Sequence, residues 1–271
     1  MTDIAVIILA KNEKLHIKRC LEKLKPLEPR QVFVVDCFST DGSNKTATEM
    51  GATVVQHEWP GLYAKQFNWA LKNLPIKAKW VLRLDADEYL TDQTVIKLKE
   101  KLFDVPDDVS GFSMELGRTF WGRPVSRGVG RMWLTRIFRY GVGYCEDKMM
   151  DEHIVVEFGR IEKLLGGKFI DDNLNEPEWW FKKHLGYAER EARDALIGFK
   201  AGQKRLYYRL PPYFRAAAYF LIRYIIRGGF CDGIAGFQWH FFQGLWYRML
   251  VDVKIGRMKS TSRFKIMDKK G

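Results

Sequence analysis

The feature that most constrains this chain of 271 residues is a repeated alternation of short apolar runs, polar loops and helical patterns. Ile4-Ala5-Val6-Ile7-Ile8-Leu9 is a strand-length apolar run. Lys11-Asn12-Glu13 closes it before a pattern that sets Leu15, Ile17, Cys20, Leu21 and Leu24 on one helix face. A second run, Gln31-Val32-Phe33-Val34-Val35-Asp36, ends in Cys37-Phe38-Ser39-Thr40-Asp41-Gly42-Ser43, a loop rich in turn and capping residues. Thr53-Val54-Val55 reads as a third strand, Tyr63 to Leu74 as a helix closed by Pro75, and Trp80-Val81-Leu82 as a further strand. Unbroken apolar strands predict burial on both faces, hence an α/β fold with a mostly parallel central sheet covered by helices. Such sheets take ligands at the carboxyl ends of their strands, where Asp36 and Asp85 are expected.

The run Arg83-Leu84-Asp85-Ala86-Asp87-Glu88 follows that last strand. In an extended chain, side chains two apart point the same way, so Asp85 and Asp87 can converge on one hard cation, or on a cation and a sugar hydroxyl. Three acids at a strand end are also an ordinary solvated turn, and Glu88 reads as a solvated neighbour. The triplet therefore needs support from elsewhere in the chain.

That support is ordered. Ala10-Lys11-Asn12-Glu13 after the first strand, Asp36 with Ser39-Thr40-Asp41-Gly42-Ser43, Asn68 in the next helix, and Asp85-Ala86-Asp87 follow one another over the first 110 residues. In this order they resemble the bacterial glycosyltransferases of family 2, which share the Rossmann-like GT-A nucleotide-sugar fold. The resemblance implies a donor-binding half over about 1–110, an acceptor half over about 111–177, and donor contacts from Ala10, Asn12, Glu13, Asp36, Asn68 and Asp85. Asp36 would accept a hydrogen bond from the donor's base or ribose; the alternative is a cap for the loop that follows it. Asp85 would lie against ribose or metal, and Asp87 would bind Mg²⁺ or Mn²⁺ bridging the two phosphates of a nucleotide sugar, with uridine the commonest base among relatives. Asp41 is expected to cap the next helix instead.

Inverting transfer needs a carboxylate that takes the proton of the attacking hydroxyl. The candidates stand in Met149-Met150-Asp151-Glu152-His153-Ile154-Val155-Val156, where relatives carry an acidic motif; the best register makes Glu152 the base and Asp151 its rival. His153 is read as structural. Upstream, Arg131, Arg136 and Arg139 fall in a segment that resembles the family's closing element, and Arg136 is placed on donor phosphate; arginines on the wet face of an edge strand are the competing reading. Many relatives supply a further metal-ligating His, but the corresponding stretch here is Phe169-Ile170-Asp171-Asp172-Asn173. Either Asp172 substitutes or the site has one protein ligand fewer.

Charge divides the chain. Residues 1 to 177 hold 26 Lys or Arg against 26 Asp or Glu, whereas residues 178 to 271 hold 19 against 7, which accounts for the whole net charge of +12. Within the basic part, Tyr213 to Arg227 and, after Gly228-Gly229, Phe230 to Val251 form two apolar, aromatic stretches rimmed by Arg and Lys. Neither reaches the roughly 20 uncharged residues of a spanning helix. Both suit an anionic membrane interface, with a pair of helices packed on the catalytic domain as the competing reading. Relatives with this layout, in which Trp180, Lys183-His184 and Tyr187-Ala188-Glu189 precede an aromatic tail, build lipopolysaccharide core, capsule or exopolysaccharide on acceptors that are often lipid-linked. The resemblance thus implies a 1–177 catalytic domain, a 178–271 membrane-associating helical region, and a place at the cytoplasmic face of the inner membrane. Scattered Cys20, Cys37, Cys145 and Cys231 contain no CxxC and fit a reducing cytosol, and a strand directly after Met1-Thr2-Asp3 leaves no room for a signal peptide.

Two other classes are open to the same sequence. A pI near 9.5 with interleaved aromatics is compatible with a nucleic-acid-binding protein, but leaves the neutral first two thirds and the ordered acids without a role, so no nucleic-acid partner is expected. A non-catalytic membrane scaffold on the same fold would tolerate loss of Asp87, which an enzyme would not.

Overall fold

The structure, a computed structural model, describes residues 1–148, 152–197 and 207–267. The chain divides into two compact units. One comprises Met1–Gly122 and Arg131–Leu174, the other Arg123–Gly130 and Asn175–Gly271.

In the first unit, β1 (Thr2–Ala10), α1 (Lys14–Leu24), β2 (Pro29–Asp36), α2 (Ser43–Glu49), β3 (Thr53–Gln56), α3 (Tyr63–Asn73) and β4 (Trp80–Asp85) alternate as expected. They are followed by β5 (Glu88–Leu90), α4 (Asp92–Phe103) and β6 (Val109–Phe120), then by β7 (Arg123–Val125) in the other unit's part of the chain. The first unit resumes with β8 (Trp133–Arg139), β9 (Gly143–Cys145), β10 (Ile154–Val156) and β11 (Arg160–Asp171). The main sheet runs in the order β3-β2-β1-β4-β8-β6-β11-β5. Its β3-β2-β1-β4 side is wholly parallel, while β8 joins β4 and β6 antiparallel and β11 lies parallel to β6. β9 and β10 form a separate antiparallel pair.

β1 is apolar throughout because both of its faces are covered. Ile4, Val6 and Ile8 pack with Ile17, Leu21 and Leu24 of α1 and Leu98 of α4, while Ala5, Ile7 and Leu9 pack with Ala64, Phe67 and Ala70 of α3. The helical face expected for α1 differs at one position: Leu15 is exposed, and His16 takes the buried place. The segment around Arg136 is no edge strand, since β8 lies between β4 and β6.

The second unit is helical in its described part. It contains α5 (Pro177–Ile197), α6 (Phe214–Leu221) with a π-helical continuation Ile222–Ile226, a 3₁₀ turn Gly229–Asp232, α7 (Gly233–Trp239) with a π-helical stretch His240–Trp246, and α8 (Tyr247–Met267). Its core joins Ala188 and Ala192 of α5 to Tyr247, Val251 and Ile255 of α8. Trp180, Phe181, Phe242 and Trp246 stack edge to face beside it. The second aromatic stretch of the sequence, from Phe241 onward, thus serves largely as packing. Gly229 leaves no room for a Cβ against the His240 ring, which fixes the turn between α6 and α7. No described helix is long and apolar enough to cross a membrane.

Candidate active site

Register places the sequence's acids along one edge. Asp36 at the end of β2 aligns with Ala10, and Asp85 at the end of β4 aligns with Leu9, so both lie at the carboxyl edge of the parallel strands. The two are then used differently. Asp36 is fully buried; it accepts from the Ser39 amide at 2.9 Å and from the Ser39 hydroxyl, and so caps its own loop. Asn12, in the left-handed region at φ 56°, completes the same loop by receiving the Thr40 amide on Oδ1 at 3.0 Å and donating its own amide to Ser39 Oγ at 2.8 Å. Glu13 pairs with the buried His16 at 2.6 Å. Asp41 receives the Ser43 and Lys14 amides at 2.9 Å, which ties together the starts of α2 and α1. These hydrogen bonds outweigh burial and hold its carboxyl below the usual carboxylate range.

β4 ends at Asp85, and a turn at Ala86-Asp87 leads directly into β5. The turn breaks the simple two-residue alternation that the sequence implied. Asp85 points towards Arg83, with Oδ1 buried, lacking a hydrogen-bond partner, and 3.8 Å from the guanidinium. Asp87 Oδ2 accepts from Asn173 Nδ2 at 3.1 Å. Glu88, expected to be solvated, is buried: it pairs with Arg136 and receives the Asp85 amide at 3.0 Å. Arg136 itself is buried, with its guanidinium 4.5 Å from the Phe169 ring centre, so the expectation that it forks onto phosphate is corrected. A charge in the interior must find a partner, and Glu88 is its partner. The loop at 169–173 is equally committed. Asp172 holds Arg19 at 2.5 Å and receives the Thr119 hydroxyl, which leaves it no free oxygen to serve as a further ligand.

The centre of the site is a residue the sequence reading passed over. Arg83, in the middle of β4 and only 4% exposed, donates to Glu152 Oε1 at 2.9 Å through the same nitrogen that faces Asp85, and to Cys145 Sγ at 3.1 Å. The Phe67 ring lies under it at 5.3 Å. Burial pulls its pKa down, but Asp85, Cys145 and Glu152 outweigh that pull and keep it charged. Cys145 is held in turn by Asn68, whose amide grips both backbone groups of Cys145 at 2.8 Å. Burial pushes the Cys145 thiol up to about 11, so it meets Arg83 as a thiol. Asn68, half-buried, is thereby tied to the Arg83 cluster through Cys145. A signal for Arg83 was present in the sequence: an arginine flanked by Leu82 and Leu84 in an apolar strand requires a buried acid from elsewhere.

Of the expected site residues, the structure brings Asp85 and Glu152 to one guanidinium and sets Asp87 in the adjoining turn. Asp151 lies outside the described residues, and His153 is exposed beside Glu146. Among the described residues, no group of three or more His, Cys, Asp or Glu gathers as a metal cluster. Asp85 still fits a hard divalent ion, because it offers an unsatisfied buried carboxylate oxygen, and a diphosphate and water can complete an oxygen shell.

Relatives match part of the chain. An uncharacterized glycosyltransferase of Rickettsia felis is 36% identical over 93 residues, covering 34% of this chain and 31% of the relative. Its counterpart in Rickettsia bellii is 37% identical over 90 residues, covering 33% and 29%. The match thus spans about a third of the length of these curated relatives. Among solved structures, glucosyl-3-phosphoglycerate synthase from Mycobacterium tuberculosis, in complex with Mn²⁺, uridine diphosphate and glucosyl-3-phosphoglycerate, is similar at 18% identity with a TM-score of 0.35, covering 42% of this chain and 44% of that one. The model of the family "Glycosyl transferase family 2" matches residues 5–142, over half of the chain, and the chain belongs to that family.

Proposed function

We propose that this protein transfers a sugar, with inversion, from a nucleotide-diphosphate sugar to a hydroxyl of a lipid-linked or lipopolysaccharide-type glycan at the cytoplasmic face of a bacterial inner membrane. One observation carries the reading: Arg83 of β4, inside the segment matched to family 2, gathers Asp85 from the carboxyl end of its own strand and Glu152 from beyond that segment around one nitrogen. Glu152 is the base, since its second oxygen is free of the Arg83 contact and it stands at a loop before β10. Asp85 and Asp87 would hold Mg²⁺ or Mn²⁺, which when bound neutralises charge on a diphosphate leaving group. The chain's own residues do the rest. Arg83 orients Glu152, and the Asp36–Ser39–Asn12 loop gives the donor a rigid floor. A uridine nucleotide is the first donor to try. The lipid-linked acceptor is supported by the basic, aromatic second unit.

Thermal-shift screening of nucleotide sugars with and without Mn²⁺ tests this reading, because a ligand that binds only the folded state raises its melting temperature. We expect a metal-dependent rise for at least one UDP-sugar, and its loss in Asp87→Ala. A flat response to every nucleotide sugar, with the protein folded, overturns the proposal.

A further inference from the structure

The second unit carries an unusual concentration of exposed apolar side chains around the α6–α7 turn. Phe214, Leu221 and Ile225, spaced seven and four residues apart, form one outward stripe along α6 and its π-helical continuation. Ile222 and Ile226 widen it, and Ile226 at the tip is 77% exposed. Across the turn, Phe230, Ile234 and Phe237 are exposed as well. Two of the hairpin's arginines and its one acid are engaged within the unit, while Arg227 is exposed at the tip. Arg215 is buried against Asp252, Arg223 is buried with its guanidinium donating to Tyr219, and Asp232 caps the Ser126 and Arg127 amides at 2.7 Å. Tyr224 fills the space between the two arms, with ring centres 5.9 Å from Phe237 and 6.3 Å from Phe230.

We infer that this hairpin is a monotopic membrane wedge that buries Leu221, Ile222, Ile225, Ile226, Phe230 and Ile234 in an anionic phospholipid bilayer without crossing it. Charge selects the occupant. Residues 178 to 271 hold 19 Lys or Arg against 7 Asp or Glu, and Arg227 is exposed beside Ile226 at the tip, so the unit's excess of positive charge favours an anionic surface. An apolar tip on a cationic body is the pattern of an interfacial anchor. The sequence suggested a membrane-associating region over all of 178–271; in the structure the aromatic stretch beyond Trp239 packs with α5, which leaves the α6–α7 turn as the wedge. The inference concerns the acceptor's surroundings, and its test reads no turnover, so its failure leaves the transferase reading intact.

Cys231 sits in the wedge and is exposed, whereas Cys20, Cys37 and Cys145 are buried. The full-length protein, labelled at Cys231 with an environment-sensitive fluorophore, is mixed with vesicles of phosphatidylglycerol and phosphatidylethanolamine, and with vesicles of phosphatidylcholine alone. The expected result is a blue shift and quenching by bromolipid with the anionic vesicles, weaker at high salt. The double variant Ile225→Asp/Ile226→Asp should lose about 100-fold or more in cosedimentation, from the loss of two buried isoleucines. Ile225→Leu/Ile226→Val should bind as before, and circular dichroism checks that each variant is folded. Unchanged binding of the aspartate variant overturns the inference. So does a wild type that ignores vesicles but is a dimer by light scattering and becomes a monomer in that variant, since a second copy then covers the face.

Discussion

Both units bury arginines against carboxylates, yet the two arrangements end differently. In the second unit, Arg248 donates to Glu191 at 2.5 Å, and the Tyr208 and Tyr247 hydroxyls donate to the same carboxylate at 3.0 and 2.8 Å. Arg215 is closed over Asp252, which also receives the Tyr213 amide at 2.8 Å. Both oxygens of each of these acids are occupied. Around Arg83 in the first unit, by contrast, Asp85 keeps a buried oxygen without a hydrogen-bond partner, and Glu152 is held through one oxygen only. Arginine nitrogens are left over in both clusters, Arg83 Nε in one and Arg248 Nε in the other, so the difference lies in the acids: carboxylates with both oxygens occupied serve architecture, whereas one with an oxygen left over has capacity for a ligand. The arginine in each cluster is the same chemical device, and what its acids have left over separates the two uses.

The largest effect expected from this contrast is catalytic. Glu152→Gln keeps a hydrogen-bonding side chain beside Arg83 but cannot take a proton, so transfer should fall by about 10²–10⁴-fold while the donor-induced melting shift is retained. Equal loss of both would make Glu152 part of donor binding and move the base elsewhere. The matching experiment on the closed cluster is Asp252→Ala. It strands Arg215 in the interior and should cost about 3–5 kcal/mol of stability in urea denaturation, with the first unit's donor response unchanged in whatever fraction is folded. If Asp252→Ala unfolded nothing, the closed cluster would not be structural and the contrast would break.

A smaller effect sharpens the contrast within the first unit. Asn68→Ala removes both hydrogen bonds to the Cys145 backbone, for about 1–3 kcal/mol, and loosens the support of Arg83. If Asn68 positions the site, kcat should drop with the donor KM nearly constant. A rise in KM alone would return Asn68 to the donor-contact role that the family resemblance implied.

What the sequence made legible follows from range. β1, β2 and β4 could be read because burial on both faces writes an unbroken apolar run into neighbouring residues, and the Asp41 cap because its partner Ser43 is two residues away. Leu15 was misassigned because it flanks the true helix face, and His16 took the buried place by pairing with Glu13. Glu88 was read as solvated and Arg136 as a donor-phosphate ligand, since nothing local reveals that β5 and β8 bring them together across the sheet. Arg83 and Glu152 are 69 positions apart, a pairing that only the topology decides. In the basic region, composition could not tell an arginine on a rim from one sealed inside; Arg215 and Arg223 prove to be of the second kind.

The smallest expected effect concerns pH and belongs to the second unit alone. His184 lies stacked on Trp180 at 3.6 Å and donates from Nδ1 to the Trp180 carbonyl at 2.8 Å. Burial, aided by Lys183, pulls it down to about 4 from its ordinary 6.5. The unfolded chain therefore binds a proton that folded His184 refuses, so the stability it contributes is full above pH 6.5 and is lost as the pH falls from there towards 4. The urea midpoint of the wild type should drop on acidification through this window more steeply than that of His184→Gln, which has no proton to take up. Parallel slopes would show that His184 does not set the acid sensitivity of this unit. A difference confined to helical circular dichroism, with the donor-induced melting shift of the first unit unaltered, would place the acid-labile step among the helices of the second unit.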